Sequence, residues 1–262
     1  MEIWNTIILY PMVNILVWIY NFVLHNFGIA IILFTILIRL ITYPLTASQL
    51  KGQKKMQEMT SSKKYQEIQK KYKDDREKLA QEQMKLYKEM GINPLGSCLP
   101  LLIQLPIMFG LYQSVALAMA SAPIQLLNLS KALYPFIPAS QLIPLNSHFL
   151  WLNLGLSEVA STPFRIASFG IPILTIIVVV TTYLQSKLMT PTAGPGDQGA
   201  QMTKMMNLYM PILMGWIAYS LSSGLALYFI VSNVLGIAQY AFMGQLHWSN
   251  LLPKKKVAVV KK

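Results

Sequence analysis

Charged side chains are scarce in this sequence. Asp, Glu, Lys and Arg together make up 12% of its 262 residues, whereas a soluble protein usually carries about 25%. Hydrophobic residues make up 54%, and long stretches of the chain carry almost no charge. This composition is typical of membrane spans joined by polar loops and argues against a single soluble core.

Residues that build catalytic and metal sites are also few. Cys98 is the only cysteine, so an internal disulfide is excluded and no cysteine-based metal site is expected. The three histidines are scattered, and the sequence contains no GxxxxGK[ST], HExxH or GxSxG motif. The apolar segments hold no acidic dyad and no nucleophile–base pair for an intramembrane hydrolase. We therefore expect no enzyme activity, no catalytic residue, no metal and no cofactor.

Acidic residues are outnumbered by basic ones, 10 to 22, and the basic residues are clustered. Twelve lie in residues 49–91, and five more lie in the tail, residues 247–262. A net charge of +12 also occurs in nucleic-acid-binding proteins. In a membrane protein, however, clustered Lys and Arg mark the cytoplasmic side, so we expect no specific nucleic acid.

Five apolar segments are long enough to cross a bilayer, which takes about 20 residues each. We expect an all-α integral membrane protein with five transmembrane helices. Three of them lie at 28–48, 92–119 and 165–188, and the other two lie within 206–246. Placing the basic segment 49–91 in the cytoplasm also places 189–205 and 247–262 there. The extracytoplasmic loop, 120–164, is rich in proline, so long helices are not expected in it. The predicted location is the inner (plasma) membrane, with several spans.

The first 27 residues allow two interpretations. They are apolar enough to span, but Tyr10, Asn14, Asn21 and His25 fall near one helical face. That pattern favours an amphipathic helix lying in the membrane interface. Charge bias does not decide between the two, because both leave 49–91 in the cytoplasm. The start has no basic region and no small-residue cleavage site, so we expect no cleavable signal peptide.

Residues 49–91 have the periodicity of a helical hairpin. Its apolar residues recur with helical spacing at Tyr65, Ile68, Tyr72, Leu79 and Leu86. We expect Asp74 to cap the second helix, with Glu77 completing a capping box. The hairpin is either a solvated element or a docking arm that recruits substrates at the membrane surface, and these two interpretations are compatible.

Arg39 is the most informative single residue. It lies 11 residues after Gly28, which is about 16 Å along a helix and near the middle of a hydrocarbon core about 30 Å thick. An arginine there costs about 2.5–3.5 kcal/mol on insertion scales. Thr35, Thr42 and Thr46 continue the polar stripe at helical spacing, so it should face a wet cavity or polar partners. The alternative is a purely structural arginine. Because no span contains Asp or Glu, a substrate is a candidate source of its counter-charge.

Polar residues also lie in the other predicted spans. Taken singly, each is more often an interhelical hydrogen-bonding residue than a binding site. Ser232 and Gln239 share one helical face, while Asn233 is offset from it. The candidates for a groove, besides the stripe of Arg39, are Gln104, Gln185, Ser232 and Asn233.

Three stretches, taken in order, carry a resemblance to a known family. They are TILIRLITYPL, LYKEMGINPLGSCLPLLIQLPIMFGLY and PILMGWIAYSLSSGLALYFIVSNVLGIAQ. The sequence closely resembles the YidC/Oxa/Alb membrane insertase family from about residue 28 to 243, and bacterial YidC without its large outer domain is the nearest branch.

The resemblance implies a five-helix core, a cytoplasmic hairpin and a hydrophilic groove open to the cytoplasm and to lipid but closed to the outside. It places the family's groove arginine at Arg39 and a groove glutamine at Gln185. Phe229 stands where the family often has tryptophan, which keeps an aromatic contact but removes an indole N–H. Implied partners are nascent membrane proteins, the bilayer, the Sec translocon and the ribosome and signal recognition particle pathway.

These features favour an insertase and chaperone for membrane proteins. An acidic hydrophilic tail would enter the groove beside Arg39, and its apolar segment would then partition into lipid. Two alternatives stay open. A solute transporter or anion channel should show inverted repeats or broken helices, and none is evident in the sequence. A chaperone that folds membrane proteins without inserting them has the same sequence features.

Overall fold

The structure is a computed structural model that describes most of the chain, and it is mostly helical. The described residues are 2–73, 75–91, 99–119, 122–138, 142–162, 164–166, 169–189 and 198–250. Cys98, the end of the basic tail and most of the loop before residue 198 lie outside these ranges. The predicted all-α membrane class is consistent with this architecture.

The helices follow the chain in a simple order. The first five are α1 (Glu2–Phe22), α2 (Phe27–Ile41), α3 (Tyr43–Thr60), α4 (Lys63–Lys71) and α5 (Arg76–Glu89). They are followed by α6 (Leu99–Ala118), α7 (Pro123–Ala132), α8 (Glu158–Ser161), α9 (Ile173–Met189), α10 (Gln198–Ser220) and α11 (Ser223–Phe242). Two short hairpins pair β1 (His148–Phe149) with β2 (Leu152–Asn153) and β3 (Arg165–Ile166) with β4 (Phe169–Gly170).

By length and hydropathy, α1 and α11 are each able to cross a membrane, and so is the bent pair α2–α3 if it counts as one span. This test covers the described residues only. The bend between α2 and α3 is 54° and falls at Thr42. The segment 28–48, predicted as one transmembrane helix, therefore contains a bend, and its crossing of the membrane stays a prediction. Pro44 explains the break, because proline lacks an N–H donor and its ring clashes with the carbonyl four residues earlier.

The centre of the bundle is α11, which packs against α2, α6, α9 and α10. Its first seven residues are all buried. Two glycines allow the loop before α9 to come close to the helices. A Cβ on Gly224 of α11 would lie 3.1 Å from the carbonyl oxygen of Leu154, and a Cβ on Gly28 of α2 would lie 2.2 Å from the ring of Phe149. The core lies toward the end of the bundle that bears the β1–β2 hairpin.

Helix α1 packs against α6. The Trp4 indole Nε1 donates to Gln113 Oε1 at 2.7 Å, and Ile8 and Met12 both contact the backbone at Gly110. The interfacial interpretation of α1 stays a prediction, because α1 is also long and apolar enough to cross a membrane.

Asn14 of α1 does not face water. It is 2% exposed, its side-chain nitrogen donates to the Ala132 carbonyl at 2.8 Å, and its side-chain oxygen accepts from the Tyr134 backbone N–H at 2.6 Å. The predicted assignment of Asn14 to a solvated polar face is therefore wrong. The buried amide instead fixes the end of α7 against α1, because an unpaired amide there would be costly.

The helical hairpin has a small core of its own. Met59, Tyr65 and Leu86 are buried, with Met56, Ile68 and Tyr87 packed against them. Leu79 is also buried, while Tyr72 is partly exposed. Most of the residues predicted to recruit substrates therefore hold the hairpin together, and its accessible surface is mainly charged.

The cap of α5 is Asp75, so the prediction of Asp74 is wrong by one position. The carboxylate of Asp75 accepts from the Lys78 backbone N–H at 3.0 Å. This bond lowers the pKa of Asp75 from its ordinary value. Asp74 itself lies outside the described residues.

We expect Leu86→Ala to destabilise the hairpin by about 2–4 kcal/mol, because the substitution leaves a cavity beside Met59 and Tyr65. Hydrogen exchange of residues 49–91 measures the change in the free energy of opening. Met84→Ala is the matched control: Met84 is 46% exposed, so its loss should change this free energy by less than about 0.5 kcal/mol. Equal effects of the two substitutions would show that Leu86 is not part of a hairpin core.

Candidate functional site

Arg39 lies in the last turn of α2, three residues before the break at Thr42. Its side chain is partly buried and reaches across to α11. The guanidinium Nη2 donates to the backbone carbonyl of Ser232 at 2.6 Å and to its hydroxyl at 2.7 Å. Both partners are neutral, so they orient the positive charge of Arg39 without cancelling it.

The ion pairs found in the described part of the chain all lie in the hairpin: Lys64–Glu89, Lys78–Asp75 and Lys85–Glu82. None of them involves Arg39. An arginine has five N–H donors, and the two bonds to Ser232 use only the hydrogens of one nitrogen. The guanidinium is therefore able to bind an anion without giving up its contact with α11.

The residues of α11 that lie against Arg39 are all on one face of that helix. Ser232, Gly236 and Gln239 are spaced by four and then three residues, so they lie on the same side of the helix. Gln239 Nε2 donates to the Arg39 backbone carbonyl at 3.1 Å, a carbonyl that the break after α2 frees from its usual helical partner. The predicted face of Ser232 and Gln239 is thus the face that meets α2.

Gly236 is a site residue that the sequence reasoning missed. A Cβ built on it would lie 2.5 Å from Gln185 Nε2 and 3.2 Å from Arg39 Nη2. The amide of Gln185, from α9, and the guanidinium of Arg39 therefore converge over this glycine. A signal was present in the sequence, because small residues four apart, here Ser232 and Gly236, mark close helix packing in membranes.

Asn233 serves a different contact. Its side-chain amide donates to the hydroxyls of Thr181 at 3.1 Å and Thr182 at 2.9 Å. These bonds join α11 to α9 beside the Arg39 face, and Asn233 and Thr182 are both buried. Asn233 therefore holds one wall of the site in place and does not point to Arg39.

Gln104 of α6 and Phe229 of α11 lie about one helical turn from Ser232, toward the N-terminal end of α11. Gln104 Nε2 donates to the Tyr228 hydroxyl at 2.7 Å, which joins α6 to α11 one turn before Ser232. Phe229 is 4% exposed and belongs to the hydrophobic core. The structure thus connects Gln104 to the site through Tyr228 and places Phe229 in packing.

The threonine stripe is less available than its spacing indicates. Thr35, Thr42 and Thr46 each donate to the carbonyl four residues earlier in the chain, at 2.7, 2.8 and 3.1 Å. Thr35 is 1% exposed, and Thr46 lies beyond the bend, in α3. The hydroxyl hydrogens of Thr42 and Thr46 already form these bonds. These two partly exposed residues can therefore only accept hydrogen bonds from a bound molecule.

The sequence matches the model of one protein family, described as 60Kd inner membrane protein, over residues 18–249. The chain belongs to this family. The predicted resemblance to the YidC/Oxa insertase family is thereby confirmed.

Individual family members are similar over most of this chain. Three relatives, each described as membrane protein insertase YidC, are 36% identical over 238 residues in Syntrophobacter fumaroxidans, 35% over 246 in Chlorobium luteolum and 34% over 241 in Nitratidesulfovibrio vulgaris. These alignments cover 90%, 92% and 90% of this chain but only 37%, 37% and 38% of the relatives. The chain thus spans little more than a third of their length.

A solved family structure has the same fold. It is described as an active YidC insertase crystal structure with the first transmembrane domain resolved. It is 27% identical with a TM-score of 0.57, and the match covers 88% of this chain and 44% of that chain. Family membership and the apolar helices identify this chain as an inner membrane protein.

Proposed function

We propose that this chain inserts hydrophobic segments of newly made membrane proteins into the bilayer and assists their folding. The observation that carries the proposal is Arg39, a partly buried cation in an apolar helix whose hydrogen-bond partners in the described residues are neutral. The names of the relatives support the same function. No covalent reaction is involved, and no cofactor is required.

The mechanism rests on electrostatics followed by hydrophobic partitioning. Arg39 attracts the acidic tail of a client in a site of reduced dielectric constant, where charges interact more strongly than in water. The amide of Gln185 adds hydrogen-bond donors beside the guanidinium. The apolar segment of the client, about 20 residues long, then leaves the groove for lipid because its transfer from water is favourable.

For this function we propose the membrane topology that the sequence predicts. Five spans contain α2, α6, α9, α10 and α11, and α1 lies in the interface. The hairpin α3–α5 and the basic tail lie in the cytoplasm, because that orientation leaves only Lys131 and Arg165 outside. The groove then receives substrates from the cytoplasmic side.

The hairpin is the proposed receiving arm, and its charged surface is the part available to partners. We propose that it meets nascent chains and their targeting factors, including the ribosome and the signal recognition particle pathway. The apolar residues Tyr65, Ile68, Tyr72, Leu79 and Leu86 contribute by keeping its two arms together. Cooperation with the Sec translocon belongs to the same proposal.

Reconstitution tests the function directly. Purified protein in liposomes should insert a short single-span client that carries an acidic outer tail, measured by protection of the tail from added protease. A matched client with Asn in place of each tail Asp should insert more slowly, because it lacks the charge that Arg39 attracts. Empty liposomes set the background of spontaneous insertion.

The outcomes separate the function from its alternatives. Insertion equal to that in empty liposomes, by protein shown to be folded, would overturn the proposal. If the same vesicles then conducted small anions, the channel alternative would replace it. Equal insertion of the two clients would leave the insertase function standing but refute the electrostatic step.

A further inference from the structure

Glu158 is a buried acid that the groove mechanism does not use. It is 0% exposed, and it is the only Asp or Glu between residues 90 and 196. A buried carboxylate is costly unless it is hydrogen-bonded, and this one is bonded. One oxygen accepts from the Leu174 N–H at 2.6 Å, and the other accepts from the Thr175 N–H at 3.0 Å.

These two N–H groups belong to the first turn of α9. A helix leaves its first four N–H groups without internal partners and carries a partial positive charge at that end. Glu158 supplies both acceptors and the negative charge from the short helix α8. Because charge-assisted bonds are the stronger kind, the loop is firmly attached to the start of α9.

The loop backbone just before Glu158 accepts hydrogen bonds from the first turn of α11. Ser223 N–H donates to the Leu156 carbonyl at 2.7 Å, and Gly224 N–H donates to the Leu154 carbonyl at 3.0 Å. The Ser223 hydroxyl adds a bond to Leu156 at 3.0 Å. The side chain that normally caps such a helix, Ser222, makes no capping bond, so the loop carbonyls replace it.

Residues 154–158 therefore bind the first turns of α9 and α11 at once, and we call these five residues the outer clamp. They lie at the end of the bundle opposite the hairpin. The other end of α9 is held separately, since the His247 N–H donates to the Leu188 carbonyl at 3.0 Å and Asn250 Nδ2 donates to the Lys187 carbonyl at 3.0 Å.

We propose that the outer clamp, through Glu158, keeps α9 and α11 together at this end and thereby closes the bundle against access from that side. Glu158 is a positioning residue in this role and touches no client. A glutamine in its place presents an N–H₂ group to one of the two helix N–H donors. One bond is then lost, and the first turn of α9 opens locally from the loop.

Two cysteine reporters on α9 test this closure in a Cys98→Ser background. Val178→Cys lies one helical turn after Leu174, and Leu188→Cys lies at the C-terminal end of α9. Both positions are buried, since Val178 is 0% and Leu188 3% exposed. A membrane-impermeant maleimide is added to each side of sealed vesicles in turn. We expect Glu158→Gln to raise the labelling rate of Val178→Cys about tenfold, only from the side that bears the clamp.

Thr175→Val is the matched control. It removes only the hydroxyl contact to Glu158 at 3.4 Å and keeps both backbone bonds, so labelling should not change. If the Glu158→Gln protein does not accumulate, Ser223→Ala removes one bond on the α11 side and should raise labelling of the same reporter to a smaller extent.

The proposal is overturned if neither Glu158→Gln nor Ser223→Ala changes the labelling of Val178→Cys. It is also overturned if both reporters gain labelling equally, because that result means general loosening of the bundle. The readout does not involve insertion, so its failure is distinct from failure of the proposed function.

Discussion

Arg39→Ala should lower the rate of insertion of a client with an acidic tail by at least about tenfold. Two unit charges about 4 Å apart attract by about 4 kcal/mol at an effective dielectric constant near 20. If desolvation offsets two thirds of this, about 1.4 kcal/mol remains, which is a factor of ten. The reconstituted liposome assay measures the rate.

Arg39→Lys should retain part of the activity. The ammonium keeps the positive charge, but it is a compact group that lacks the planar fork of arginine. It is therefore less able to hold both Ser232 acceptors and a client carboxylate together. Ser232→Ala is the companion variant: it removes one of the two bonds to the guanidinium and keeps the charge, so its effect should be smaller than that of Arg39→Ala.

The client with an uncharged tail is the control for folding. Arg39→Ala should insert it as fast as the unmodified protein does, because no charge attraction is lost. Equal loss with both clients would mean that the substitution damages the fold. Equal insertion of the acidic client by all Arg39 variants would make Arg39 structural for that client and refute the electrostatic mechanism.

Gly236→Ala should reduce insertion of the acidic client by about three- to tenfold while the protein stays folded. The new methyl group would lie 2.5 Å from Gln185 Nε2 and 3.2 Å from Arg39 Nη2. Because both are ends of flexible side chains, they give way, at a cost of about 0.5–1.5 kcal/mol for an off-rotamer side chain. The substitution thus disturbs the site without changing a polar residue.

Thermal unfolding and insertion should respond differently to this substitution. Alanine is favoured over glycine in a helix interior by about 1 kcal/mol, so the melting temperature should stay near that of the unmodified protein. Gly52→Ala in α3 is the matched control, since a Cβ there meets nothing within 4 Å. It should leave insertion unchanged. A fall in both stability and insertion for Gly236→Ala would show a packing defect instead of a displaced site.

A candidate site residue could be picked out from the sequence where that residue alone carries a large energetic cost. Arg39 is conspicuous from hydropathy alone, because a charge in the middle of an apolar helix requires a polar environment. Gly236 was missed because its spacing from Ser232 indicates close helix packing but not which side chains approach it. Glu158 was missed because nothing in the loop sequence indicates which helix terminus it caps.

Element ends were less predictable than element types. The fourth span was predicted to begin at residue 206, yet α10 already begins at Gln198. Hydropathy marks where a helix enters lipid but not where it begins in water. Pro44 was a readable signal for the bend between α2 and α3, since proline disfavours the helical conformation of the residue before it.

Composition and charge order determined by themselves that this chain is a helical membrane protein, and they predict which loops face the cytoplasm. These properties follow from local transfer free energies, which each segment carries wherever its neighbours lie. Only the tertiary structure decided that Ser232, Gly236 and Gln185 meet at Arg39, while Asn233 and Phe229 serve packing. Hydrogen bonds act over about 3 Å, so their partners depend on how helices distant in sequence come together.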